Sequence, residues 1–146
     1  MSNGNRIVIG LTGSFGSGCS TLRDGLAGAE FRTITLSKVV HDIWGERNPK
    51  RPPESKTRQE LQSIGNELRK EKGNSYLADL ALKEVAFPKV KENKLIFDSI
   101  RNTEEVEVFR RSFPNFILIT VISSLEERWA RLSEQYESKH LTRRDF

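Results

Sequence analysis

Apolar residues in this chain fall into short blocks separated by glycine-rich or charged stretches. Arg6-Ile7-Val8-Ile9-Gly10-Leu11 is β-branched and stops at a glycine cluster, the pattern of a strand buried on both faces of a parallel sheet. After Gly13-Ser14-Phe15-Gly16-Ser17-Gly18, positions 19–27 put Leu22 and Leu26 on one helical face, with Gly28 as a stop. Strand, glycine loop and helix therefore follow one another directly.

The alternation continues along the chain. Phe31 to Leu36 reads as a second strand, and Ser37 is placed to cap a helix that runs to Glu46, ends near Gly45 and buries Val40, Ile43 and Trp44. Residues 47–56 are charged and contain Pro52-Pro53, so an extended loop is expected there. Leu61, Ile64 and Leu68 predict a helix over 58–72, closed by Gly73. Ser75 can cap another to about Val85, with Leu77, Leu80 and Ala81 inward and Pro88 beyond its end. Lys94 to Asp98 is a short apolar run ending in an acid. Asn102 and Glu105 have capping-box spacing for a helix to Ser112, which Pro114 prevents from continuing. Phe116 to Ile122 is the most apolar segment and predicts a central strand. Ser123 and Glu126 repeat the capping spacing before Leu125, Trp129, Leu132 and Tyr136, the stripe of a sheet-packing helix. Residues 137–146 are polar and carry no assignment. Strands alternating with helices imply right-handed crossovers, a parallel sheet and an α/β fold.

Composition narrows this picture. A length of 146 residues suits one domain, or most of one. Hydrophobic residues are 36% and charged residues 30%, wet for a globular chain but not disordered. No apolar run approaches the ~18 to 20 residues of a membrane span, and the opening residues lack the order of a signal peptide, so a soluble cytoplasmic protein is expected. Cys19 is the lone cysteine, and with His41 and His140 it makes a poor zinc set; disulfide scaffolds and structural zinc are excluded. The net charge is +4, and residues 38–72 hold nine Lys or Arg against six Asp or Glu. That surplus suits either a phosphate-bearing partner or a solvated helical face.

Gly13 to Ser20 matches the phosphate-loop pattern G-x-x-x-x-G-K-[ST] at every defined position except the lysine, which is Cys19. Glycines let successive backbone N–H groups form an anion nest, and the helix N-terminus adds partial positive charge; neither needs a side chain. Ser20 is either the hydroxyl that holds Mg²⁺ or a helix-start serine. Cys19 is either an inert small residue or a helix-terminal thiol of lowered pKa. A thiol supplies no charge to a transferring phosphate, a loss of about a factor of 10² to 10³ by analogy with one oxyanion donor. Asp98 ends its strand either as the acid that holds Mg²⁺ or as a turn residue. Ligands of open parallel sheets bind outside the strand C-termini, an edge shared by Gly13 to Ser20, Ser37, Asp98 and Arg101.

The segments IVIGLTGSFGSGCST, LSKVVHDIWGE, TRQELQSIGNELRKEKG and LIFDSIRNTEEVEVFRRSF, with Arg128 and Arg131 in the helix after the last strand, resemble the P-loop kinases of the nucleoside monophosphate and dephospho-coenzyme A kinase group. The likeness runs from about Arg6 to Leu132. Within the group the chain is most similar to archaeal nucleotide-kinase-like proteins and to P-loop domains fused ahead of a deoxycytidylate-deaminase-type domain. The resemblance implies a three-layer P-loop fold in which Gly13, Ser14, Phe15, Gly16, Ser17, Gly18, Cys19, Ser20 and Thr21 bind the phosphates of ATP or another nucleoside triphosphate. Ser20 and Asp98 would hold Mg²⁺. Ser37, Arg58 and Arg101 would face an acceptor nucleotide, and Arg128 and Arg131 would be lid arginines at the transferring phosphate or solvated helix residues. It also implies a further helix, begun at Leu141 to Phe146, and a last strand. On that view the chain is an N-terminal fragment followed by a deaminase-like domain.

Three functions stay open at this level. One is a regulatory nucleotide-binding domain with weak or absent phosphotransfer. Another is an active nucleotide or dephospho-coenzyme A kinase in which Arg101 or Arg128 replaces the lysine. The third is a nucleic-acid or protein interaction domain using Lys38 to Lys72, which few exposed aromatics accompany, so base stacking is poorly supported.

Overall fold

The β-branched runs do become strands, and each is returned to the sheet by a helix. The computed structural model describes residues 6–86, 93–137 and 142–145. Its strands are β1 (Ile7–Gly13), β2 (Arg32–Thr35), β3 (Lys94–Asp98) and β4 (Phe116–Val121). Its helices are α1 (Cys19–Ala27), α2 (Lys38–Arg47), α3 (Arg58–Lys72), α4 (Tyr76–Ala86), α5 (Thr103–Ser112) and α6 (Leu125–Glu137), with 3₁₀ turns at Pro53–Ser55 and Arg143–Asp145. All neighbouring strands are parallel in the order β2-β3-β1-β4, the α/β architecture of P-loop proteins.

Period-two alternation sends strand side chains to two different cores. Val8, Ile34, Leu95 and Phe97 join Val40, Trp44, Ile64, Leu77, Val106 and Phe109 on one face, where the rings of Phe97 and Phe109 stack at 4.1 Å. Ile9, Leu11 and Ile96 point to the other face and meet Leu22 and Leu26 of α1, Phe31 and Ile119. Register places Gly10 beside Phe97, so Asp98 emerges next to the base of the glycine loop.

The structure departs from the sequence reading at identifiable points. β1 runs to Gly13 because β4 pairs with it as far as Val121. The 116–122 run forms a strand only over Phe116–Val121, and at an edge of the four described strands, where Ile117 is 55% exposed. An apolar run specifies a strand and not its rank, which is set by where the α5 crossover delivers the chain. α2 continues past Gly45 to Arg47, with Asn48 N–H closing on the Gly45 carbonyl. Its cap residue is Ser37, yet that side chain makes no capping bond. The box before α6 is one residue later than expected: Glu127 N–H donates to Ser124 Oγ, and Ser124 N–H to Glu127 Oε2. Leu125 of the expected stripe stays 42% exposed, whereas Tyr136 is buried. Pro88, His140, Leu141 and Phe146 lie outside the described residues.

Candidate functional site

The loop between β1 and α1 owes its path to two glycines in the left-handed region, Gly16 at φ +78 and Gly18 at φ +109. Such residues let consecutive N–H groups converge on an anion, and α1 begins immediately afterwards at Cys19. Ser17, 5% exposed, and Cys19 turn inward together: their Oγ and Sγ are 3.5 Å apart, and each would lie 2.7 Å from a Cβ at Gly13. The Cys19 thiol thus tucks against the base of the loop. Ser20 and Ser14 are exposed.

α6 braces the loop from outside. Arg128 Nη1 donates to the Phe15 carbonyl at 3.3 Å, and Arg131 Nη1 to the carbonyls of Gly16 at 2.9 Å and Ser17 at 3.3 Å. Leu132 closes over Gly16, where an added Cβ would come within 2.6 Å of Cδ1. Here the expected lid arginines hold the loop backbone.

Asp98 sits at the C-terminal end of β3 and is 6% exposed. Its Oδ1 accepts the N–H of Ser99 at 2.7 Å and its Oδ2 accepts Arg23 Nη1 at 3.2 Å. Ser99 adopts φ +70, an uncommon conformation for a non-glycine residue. The Ser37 hydroxyl donates to the Ser99 hydroxyl at 3.4 Å, and Ser37 has helical backbone angles, φ −74 and ψ −6, where a capping residue is extended. Thr12 Oγ1, donating to the Ile100 carbonyl at 2.8 Å, ties this turn back to β1.

Beside this edge lies a cavity of about 1050 Å³ between α2, α3 and the 99–101 turn. Ser37, Arg58 and Arg101, predicted to share a site, all line it, and so does Phe15 from the glycine loop. The Arg58 guanidinium stacks over the Phe15 ring at 4.9 Å. Lys56 and Arg69 bring the cations to four, against the single acid Glu54. Val40, Leu61, Leu77 and Tyr136 supply apolar wall. Loss of water contact, followed by the Lys56 charge, pushes the His41 imidazole below its ordinary value.

Sequence reasoning missed Arg69, Glu105, Lys56, His41 and Arg23. Glu105 is fully buried and accepts Arg69 Nε at 3.2 Å and Nη2 at 2.9 Å on Oε1, and the Arg101 N–H at 2.7 Å on Oε2. Asn102 caps α5 by accepting the Glu105 N–H, but the reciprocal arm of the predicted box goes to Arg101. Burial of an acid inside a polar TEEVE stretch has no local signal in a sequence. Its partner lies 36 residues away.

The expected Mg²⁺ donors are Ser20 and Asp98. Both Asp98 oxygens already accept hydrogen bonds, one of them from a guanidinium, and among the described residues no three His, Cys, Asp or Glu side chains gather as ligands. The Arg23 guanidinium on Oδ2 puts a positive charge where a divalent cation would sit, so Asp98 as arranged does not fit one, while Ser20 stands exposed at the start of α1. Nor, among the described residues, is any helix long and apolar enough to cross a membrane.

No protein-family model matches the chain. It is 31% identical over 131 residues to a UPF0200 protein of Methanoregula boonei, covering 90% of this chain and 68% of that one. To a UPF0200 protein of Methanothermobacter thermautotrophicus it is 28% identical, over 90% of this chain and 63% of the other. A third, from Thermococcus sibiricus, is 30% identical, with 72% and 54% covered. The chain therefore spans between 54% and 68% of the length of these three relatives. The crystal structure of TT1252 from Thermus thermophilus matches 97% of this chain and 76% of its own with a TM-score of 0.54 at 21% identity, a likeness of fold.

Proposed function

The chain belongs to the UPF0200 family, and from its site we propose that it is a nucleotide-binding P-loop domain of nucleoside monophosphate kinase ancestry with phosphotransfer weakened or lost. The observation that carries this reading is the union of two features at one sheet edge. A glycine loop with the backbone of an anion nest adjoins a cation-lined cavity large enough for a phosphorylated nucleoside, and Phe15 belongs to both. In this reading Gly13 to Thr21 takes the phosphates of ATP or another nucleoside triphosphate. Lys56, Arg58 and Arg101 receive the phosphate of a second nucleotide or effector, and the aromatic and aliphatic wall receives its base. Cys19 supplies no charge, so the domain recognises nucleotides rather than turning them over rapidly. A regulatory role in nucleotide metabolism, in a cytoplasmic protein with a deaminase-like domain following in the full-length chain, belongs to the same proposal.

Calorimetric titration with nucleoside mono-, di- and triphosphates tests it. Saturable binding at sub-millimolar concentration is expected, and silence from every nucleotide at millimolar concentration overturns the reading. The four cavity cations also favour a second reading, an active nucleotide or dephospho-coenzyme A kinase. A coupled ADP-release assay separates the two, since turnover that disappears in Ser20→Ala supports the kinase and binding without turnover supports the regulatory domain.

A further inference from the structure

The lysine position of the loop holds a thiol, and the acid at the end of β3 faces a guanidinium. These two departures are one turn of helix apart. Cys19 and Arg23 are related by i, i+4 on α1, so they share a face, and helical side chains lean toward the N-terminus. A long arginine at the second position therefore brings its head back toward the level of the first. Arg23 does so: Nη1 reaches Asp98 Oδ2 at 3.2 Å, while Nε and Nη2 lie 3.0 Å from Asp24 Oδ1.

The two acids do not hold Arg23 equally. Asp24 is 68% exposed at its side chain, a surface pairing that contributes little and that water or a ligand can replace. Asp98 is 9% exposed at its side chain and fixed by the Ser99 N–H. The guanidinium is thus anchored on Asp98 by one nitrogen, with its remaining donors toward a weak, exchangeable partner. A planar fork of donors suits a phosphate better than it suits one carboxylate oxygen, and arginine stays charged at any physiological pH. Its hydrogen bonds to Asp24 and Asp98 raise its pKa further, against the opposing cost of burial.

We propose that Arg23 is the phosphate-neutralising cation of this loop, standing in for both the missing lysine and a divalent metal, so that nucleotide phosphates bind at Gly13 to Thr21 without Mg²⁺. This rests on the nucleotide-binding reading above. On binding, the phosphate replaces Asp24 as the second partner of the fork, and Asp98 orients the guanidinium instead of coordinating metal.

The experiment is isothermal titration of ATP, GTP, CTP and dCTP into the protein, each in excess Mg²⁺ and in excess EDTA, with thermal melts confirming that every variant folds. Affinity for the nucleotide that binds is expected to agree between the two buffers within about twofold, and Arg23→Gln to weaken it by roughly tenfold or more in both. Arg23→Lys, which keeps charge but loses the fork, is expected between the two. Binding that needs Mg²⁺, or that survives Arg23→Gln undiminished, overturns this inference and leaves the nucleotide-binding domain standing. Absence of binding in both buffers overturns both.

Discussion

Glu105 has no solvent exposure, and its carboxyl group meets the Arg69 guanidinium and the Arg101 N–H. One carboxylate thereby fixes two groups that line the cavity, from α3 and from the turn after β3. Removing a single partner of a buried ion pair is costly because the other charge stays behind. Arg69 retains 16% exposure, so water recovers part of the loss. Glu105→Gln is therefore expected to cost about 2 to 3 kcal/mol, at the low end for such pairs, and to lower the melting temperature by roughly 6 to 10 °C in a calorimetric scan. A shift under a degree would show that stability does not depend on the Glu105 carboxyl group. Gly18 makes a contrasting case. A Cβ there would meet nothing closer than 3.9 Å, so the cost of Gly18→Ala is backbone conformation alone, about 1 to 2 kcal/mol of unfolding free energy in urea. Loss of the nest should abolish nucleotide binding beyond what that destabilisation explains.

The helix that roofs the cavity is built on a complete capping box. Thr57 Oγ1 accepts the Glu60 N–H and Glu60 Oε2 accepts the Thr57 N–H, while Arg51 grips the same carboxylate. The Arg51 guanidinium, followed by the Thr57 N–H, holds the Glu60 carboxyl well below its usual 4.5, at about 2. A depressed folded-state pKa means stability that is present above pH 4.5 and lost as the pH falls toward 2. Urea midpoints measured across that window should fall for the native protein and fall less steeply for Glu60→Gln. Parallel slopes would remove Glu60 from the acid response. Thr57→Ala should cost about 1 kcal/mol at neutral pH. How well such elements could be read from sequence depended on distance along the chain. α3, β3 and α5 have their predicted bounds, because capping residues, helical periodicity and terminal glycine or proline are all local. Two adjacent serines, each with a glutamate three residues on, let the α6 box be assigned one residue too early, at Ser123 and Glu126. The glycine loop was legible as a motif, Ser37 and Arg101 were legible as neighbours because β-strand C-termini share one edge, and Arg58 was placed with them only by the family resemblance. Arg23 and Glu105 were not, since each acquires its meaning from a partner that only the folded sheet supplies.

At the scale of the molecule, the two faces of the sheet are unequal among the described residues. One carries the large core packed by α2 to α5, while the other is closed by α1 through half-buried Leu22 and Leu26 over Ile9, Leu11 and Ile96. No residue of α1 is fully buried. Local opening follows buried apolar contact, so α1 and the loop it anchors should open without global unfolding while β3 and α5 should not. Hydrogen exchange followed by mass spectrometry is expected to show α1 amides exchanging at least roughly 30-fold faster than those of α5, an opening free energy about 2 kcal/mol lower. A nucleotide bound at the loop adds its binding free energy to that opening, about 2.7 kcal/mol at a hundred times its dissociation constant, or close to a hundredfold slowing. The slowing should appear in α1 and the glycine loop through their local opening and, by a similar factor, in α5, because the global unfolding that exposes α5 also destroys the nucleotide site. Equal protection of α1 and α5 in the free protein would mean that the thin face is sealed by something other than the contacts described. Ligand protection confined to α2 and α3 would locate the nucleotide in the cavity and away from the loop.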